Sequence, residues 1–124
     1  MKNIAFFLLT IVILNSCRKD SNDFLVGVDV QSSFNHDEVK IFIDGKKLID
    51  KELQTFEVLG VCYGDGQIIT SKNKGNHKIK VIVNNGTTVT ENFSLDADLY
   101  IGINYNQQTK EISFVYAAQR FIYD

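Results

Sequence analysis

The stretch HKIKVIVNNGTTVTENFSL, His77–Leu95, decides the fold. Ile79, Val81 and Val83 share one face with Lys78 and Lys80 on the other, and after Asn84-Asn85-Gly86 the chain resumes with Val89, Phe93 and Leu95 on one face. Alternation with a period of two marks strands that bury one side. The turn fixes which residues meet. A two-residue Asn85-Gly86 turn would set Val81 opposite Thr90 and Lys78 opposite Phe93, mixing apolar and polar faces. A three-residue loop sets Val81 opposite Val89 and Lys80 opposite Thr90. A slip of one residue turns every side chain over, so the three-residue loop is the expected one, with Gly86 in the left-handed conformation that lacks a Cβ clash.

The same alternation runs outward in both directions. Val26, Val28 and Val30 mark a strand over Phe24–Gln31, a loop follows at Ser32–Asp37, and Val39, Ile41 and Ile43 mark the next strand. Asp44-Gly45 is a turn signal, after which Lys47–Glu52 returns. Phe56–Tyr63 (FEVLGVCY) is apolar throughout and reads as a strand in the middle of a sheet. Gly64-Asp65-Gly66 then turns the chain into Gln67–Ser71. Leu99, Ile101, Ile103 and Tyr105 are answered by Ile112, Phe114 and Tyr116. A four-residue loop at Asn106–Thr109 would pair Ile103 with Ile112 and Ile101 with Phe114. Arg120–Tyr123 is a candidate last strand. About eight strands in some hundred residues joined by tight turns imply an all-β fold, a single antiparallel β-sandwich of fibronectin-like or prealbumin-like type.

Upstream, the chain changes character. Lys2 precedes Ile4–Leu14, eleven residues that are apolar apart from Thr10. As a helix they would extend about 16 Å, against a hydrocarbon core of about 30 Å. Such a run is too short to span and has the length of a signal-peptide core. Leu14-Asn15-Ser16-Cys17 closes it. This ending resembles the lipobox of bacterial lipoproteins, with an aliphatic residue at −3 and a small one before the Cys. The resemblance covers residues 1–17. It implies a cleaved signal peptide over residues 1–16, a lipid on the Cys17 thiol, and a membrane as one partner through that lipid. Only a thiol can take the diacylglyceryl thioether, and a small Ser16 lets the peptidase reach the bond. Residues 17–23 then form the lipidated Cys and a polar tether, and residues 24–124 the sandwich. Arg18-Lys19-Asp20 with Asp23 is similar to signals that carry some lipoproteins to the cell surface, and equally suits an ordinary solvated tether. The expected address is the outer membrane, with the surface and the periplasmic side both open.

Loss of residues 1–16 would leave 124 − 16 = 108 residues, a single-domain length, with 12 basic and 15 acidic side chains and a net charge of −3. No basic stripe appears, which argues against nucleic acid. Once Cys17 carries lipid, Cys62 has no disulfide mate. It reads as a small buried hydrophobe, with a reactive thiol as the competing reading. The only histidines are His36 and His77. With Asp37 they could in principle hold a metal, but their spacing matches no zinc pattern, so no metal or other cofactor is expected. Tyr63-Gly64-Asp65-Gly66 and Asp96-Ala97-Asp98 are too short for a calcium cage. No Ser stands in a Gly-x-Ser-x-Gly setting and no Cys has a local His partner.

The candidate binding residues are therefore His36, Asp37, Tyr63, Asp65 and Tyr100, in loops or at outward phase. Phe42 and Tyr123 are further outward aromatics, and Ser71–Asn76 is a further loop. The expected function is a lipid-tethered binding or adhesion module that meets a protein or glycan through loops or a sheet face. The alternatives are a structural or assembly accessory of an envelope complex, and a small inhibitor or immunity protein. An enzyme is the least expected class, since two closely packed sheets leave little space for a deep pocket.

Overall fold

The structure, a computed structural model, describes residues 23–123. The expected signal peptide, the lipid site at Cys17 and the tether up to residue 22 lie outside the described residues. Eight strands follow in order: β1 (Asp23–Val30), β2 (Asp37–Ile43), β3 (Lys46–Leu53), β4 (Gln67–Asn73), β5 (Gly75–Val83), β6 (Thr87–Leu95), β7 (Leu99–Asn106) and β8 (Glu111–Ala117). They form two four-stranded sheets, β4-β1-β7-β8 and β3-β2-β5-β6. The fold is a β-sandwich, as the alternation predicts. Each sheet has four strands, rather than the four and three of an immunoglobulin constant-type sandwich. One pair departs from antiparallel: β1 and β7 run side by side in the same direction.

The inward positions make one core. Val26, Val28, Val30, Ile101 and Ile103 of the first sheet face Val39, Ile41, Ile43, Ile79, Val81 and Val83 of the second, all essentially without solvent contact. Removing each such side chain from water is worth about 1.5–3 kcal/mol. The edges are clipped as well, since the Tyr116 hydroxyl on β8 donates to Glu91 on β6 at 2.6 Å.

The β5–β6 hairpin has the expected register, with Val81 opposite Val89 and Lys80 opposite Thr90. Its turn differs in detail. The left-handed residues are Asn84 and Asn85, each at φ 54°, and Gly86 is not among them. Asparagine tolerates this conformation because its short amide bonds to nearby backbone. Here the Asn84 amide does more, bridging to Glu38 and Asp37.

Four expectations need correction. The loop expected at Ser71–Asn76 is strand on both sides of Lys74, which alone connects β4 to β5. The β7–β8 loop is Gln107–Lys110, one residue later than expected, which shifts the pairing by two, so Ile103 meets Phe114 and Ile101 meets Tyr116. The Asn106 side chain sets this offset by accepting from the amides of Gln108 and Thr109, and Lys110 completes the turn at φ 62°. Because the shift is even, the inward face is unchanged. Arg120–Tyr123 forms no strand and lies as a strap across the outer face of the first sheet. Phe56–Tyr63 is likewise not a strand. Gly60 at φ 72° folds it back on itself, Phe56 and Val61 bridge, and only Val61 and Cys62 reach the interior.

Candidate functional site

The strand directions divide the loops between two ends. Asp23 and the 44–45, 74 and 96–98 connections lie at one end, while 31–36, 54–66, 84–86 and 107–110 gather at the other. β1 alone separates the two ends by about 26 Å at ~3.3 Å per residue. The second group is here called the loop end.

Asp37 organises it. Its carboxylate accepts from the Asn35 amide at 2.8 Å, from Asn84 Nδ2 at 2.7 Å and from Gln107 Nε2 at 2.7 Å. One buried carboxylate thus ties three loops drawn from both sheets. Burial works to raise its pKa, but these three hydrogen bonds and the nearby Lys110 charge outweigh it and hold the carboxyl below its ordinary value. With three hydrogen bonds from the protein itself, Asp37 acts as a structural post.

Beside it stands the 54–66 loop, fastened at its base. Thr55 Oγ1 donates to the Gln31 carbonyl at 2.7 Å and accepts from the Phe34 amide at 2.9 Å. The Cys62 amide donates to Val30 O at 2.7 Å, and the Val30 amide to Gly66 O at 2.7 Å. Within the loop, the Gly60 amide donates to Phe56 O at 2.8 Å and the Phe56 amide to Val61 O at 2.9 Å. Burial pushes the Cys62 thiol pKa up, only partly offset by the Thr55 hydrogen bond. A buried, protonated thiol is an unreactive one.

What this rigid loop holds outward is apolar. Phe56 is 56% exposed, Val58 76% and Tyr63 74%. Below them runs a shallow hollow of about 690 Å³ whose walls include Gln54, Thr55 and Glu57. Past Gln54, Thr55 and Glu57 it adjoins a second hollow of about 420 Å³, which in turn meets a third of about 500 Å³ at Ser33 and Gln107. Large apolar side chains usually turn inward. Here a hydrogen-bonded loop keeps three of them in water as one exposed apolar patch.

The sequence-predicted residues separate on this map. Tyr63 belongs to the exposed cluster, and Asp65 lies close by in an exposed ion pair with Lys51 at 3.1 Å. His36 is also at the loop end, exposed and 3.3 Å from Glu52. Tyr100 is not there: it lies 9% exposed on the outer face of the first sheet, packed over Gly27. His77 sits near the Asp23 end, buried, with Nδ1 2.6 Å from Asp44 and Nε2 2.7 Å from the Asn73 carbonyl. A site combining His36, His77 and Asp37 is therefore ruled out by distance along the sandwich. Phe56 and Val58 were hidden inside what reads as a strand, and the one signal that could expose them is Gly60 within the apolar run.

No protein-family model matches the sequence, and no characterised protein or solved structure is significantly similar to it.

Proposed function

We propose that this chain is a lipid-anchored envelope protein of the outer membrane that acts by binding a protein partner through its loop end. The observation that carries the reading is the exposed trio Phe56, Val58 and Tyr63 on a loop fastened by backbone hydrogen bonds. Exposed aromatic side chains on a rigid support are the usual anchors of a protein interface, because little ordering entropy remains to be lost. The lipobox resemblance at Leu14–Cys17 supports the anchor. A tether leading to Asp23 would then leave the trio at the end of the sandwich facing away from the lipid. Binding rather than catalysis is supported by chemistry already engaged elsewhere: both His77 nitrogens are bonded within the protein and the Cys62 thiol is buried.

Photo-crosslinking in intact cells tests this. Benzoylphenylalanine placed at Val58 should give a discrete protein adduct, and at Lys80 on the opposite sheet none. The double variant Phe56→Ser, Tyr63→Ser should lose the adduct while melting as the parent does. No adduct at Val58, or an equal one at Lys80, would refute the loop-end reading. Separately, Cys17→Ser should abolish labelling by radioactive palmitate, and continued labelling would refute the anchor alone.

A further inference from the structure

A second concavity lies on a different face, between the outer side of the first sheet and the 118–123 strap. We infer that it is a binding site for a zwitterionic α-amino acid with an apolar side chain, an inference independent of the loop end.

The floor is built by omission. Gly27 gives the sheet surface no side chain, and the Tyr100 ring lies flat in that space. The strap forms the opposite wall with Arg120 and Phe121. Between them is a depression of about 340 Å³, near the lower end of the ~300–1,000 Å³ typical of small-ligand pockets. Tyr100, Phe121 and Ile69 supply an apolar lining suited to a hydrocarbon side chain.

Its charges narrow the ligand. Asp29 and Arg120 line the depression without forming an ion pair with each other among the described residues. Asp29 is held back by its own bonds: Oδ2 accepts from the Tyr123 hydroxyl at 2.6 Å and weakly from Gln67 at 3.4 Å. Oδ1 accepts no hydrogen bond among the described residues. One acidic and one basic residue therefore line the same small space, and no other charged residue does. A simple anion would be attracted by Arg120 and repelled by Asp29, and a simple cation the reverse. A ligand carrying both charges close together satisfies both walls, its carboxylate on the guanidinium fork and its ammonium on Asp29.

The test uses L-phenylalanine as probe against the mature chain in detergent, following the aromatic NMR signals of Phe121 and Tyr123. Saturable shifts are expected, with 3-phenylpropanoate and phenethylamine binding at least about tenfold more weakly because each lacks one charge. Arg120→Gln should weaken binding at least about tenfold as well, without changing the melting temperature. Arg120 is the decisive variant because Asp29→Asn also loosens Tyr123. Bound ligand should slow tryptic cleavage after Arg120. The inference is overturned by no saturation, by equal binding of either singly charged analogue, by glucose in its place, or by an Arg120→Gln protein that binds as the parent does.

Discussion

The two sheets are alike inside and opposite outside. Inward, both present Val and Ile at every second position. Outward, the second sheet carries Glu38, Lys40, Lys78, Lys80 and the Thr88–Ser94 row, a mainly charged and polar surface in which half-buried Phe42, beneath the Lys80 ammonium, and Ile82 are the apolar exceptions. The first sheet carries Leu25, Gly27, Ile69, Tyr100, Gly102 and Val115, with the strap laid over part of it. Alternation is set by which face is buried in the sandwich and holds no information about a third layer. The outer residues alone distinguish a face that meets water from one that meets something else.

The largest expected effect tests the likeness of the inner faces. Val81→Asp on the second sheet and Ile101→Asp on the first both put an unpaired charge into the same core. Each should cost several kcal/mol, comparable with a domain's whole stability of about 5–15 kcal/mol, and abolish the cooperative thermal transition. A folded variant on only one sheet would mean that the asymmetry of the outer faces reaches the interior.

Next in size is the post that couples the sheets. Asp37→Ala leaves the Asn35 amide, Asn84 and Gln107 without their shared acceptor, at an expected cost of about 2–3 kcal/mol in urea denaturation. The sign of its pH dependence follows. Since the folded carboxyl titrates below its unfolded value, its contribution is complete above about pH 4 and is lost as pH falls through the folded pKa. The stability gap between the parent and Asp37→Asn should therefore close in acid. A gap that persists unchanged below that window would show the carboxylate charge to be irrelevant.

Much of the fold was legible because its determinants are local. The β5–β6 register follows from keeping Val81 and Val89 on one side, whichever residue in the turn is left-handed. The β7–β8 pairing was displaced by two residues because faces constrain register only to even steps, and the Asn106 cap that chooses between them is one side-chain hydrogen bond pattern. Phe56–Tyr63 misled for a different reason: Phe56, Val58 and Tyr63 stay exposed while Val61 and Cys62 turn inward, so the rule that equates apolar with buried assigns the whole run to a strand. Asp37 was named only as a candidate binding residue: its three partners come from positions 35, 84 and 107, and no spacing in a sequence brings those together.

A smaller effect sharpens the contrast between outer faces. A Cβ on Gly27 would stand 2.5 Å from Cδ1 of the buried Tyr100 ring, so Gly27→Ala must move an aromatic and should cost about 1–3 kcal/mol. At Gly102 the same methyl meets Cδ of Gln31 at 2.5 Å. That flexible chain can swing away, losing its bonds to Asn104 and Tyr123 at about 1 kcal/mol. Lys80→Ala on the second sheet should stay within about 0.5 kcal/mol. Equal costs at all three positions, read from melting curves, would erase the distinction drawn between the faces.

An effect of similar small size concerns the strap itself. Tyr123 donates to Asp29 and accepts from Gln31, whose carbonyl in turn accepts from Asn104, which bonds Ser32 at the head of the loop end. Burial and the Asp29 carboxylate both push the Tyr123 hydroxyl pKa well above its ordinary value. A raised folded pKa means that the contribution is full below the unfolded value of about 10 and is lost only as pH climbs toward the folded one. Tyr123→Phe removes this bond from a half-buried site and should cost only about 0.5–1.5 kcal/mol, hard to see in a melting curve. Tryptic cleavage after Arg120 reads it better, because the strap can open while the sandwich stays closed. The parent should resist cleavage across neutral pH and the variant should be cut several-fold faster. Equal rates would mean that the strap is held by Phe121 packing alone, and that the hydrogen-bonded chain from Tyr123 to Ser32 carries no strain between the covered face and the loop end.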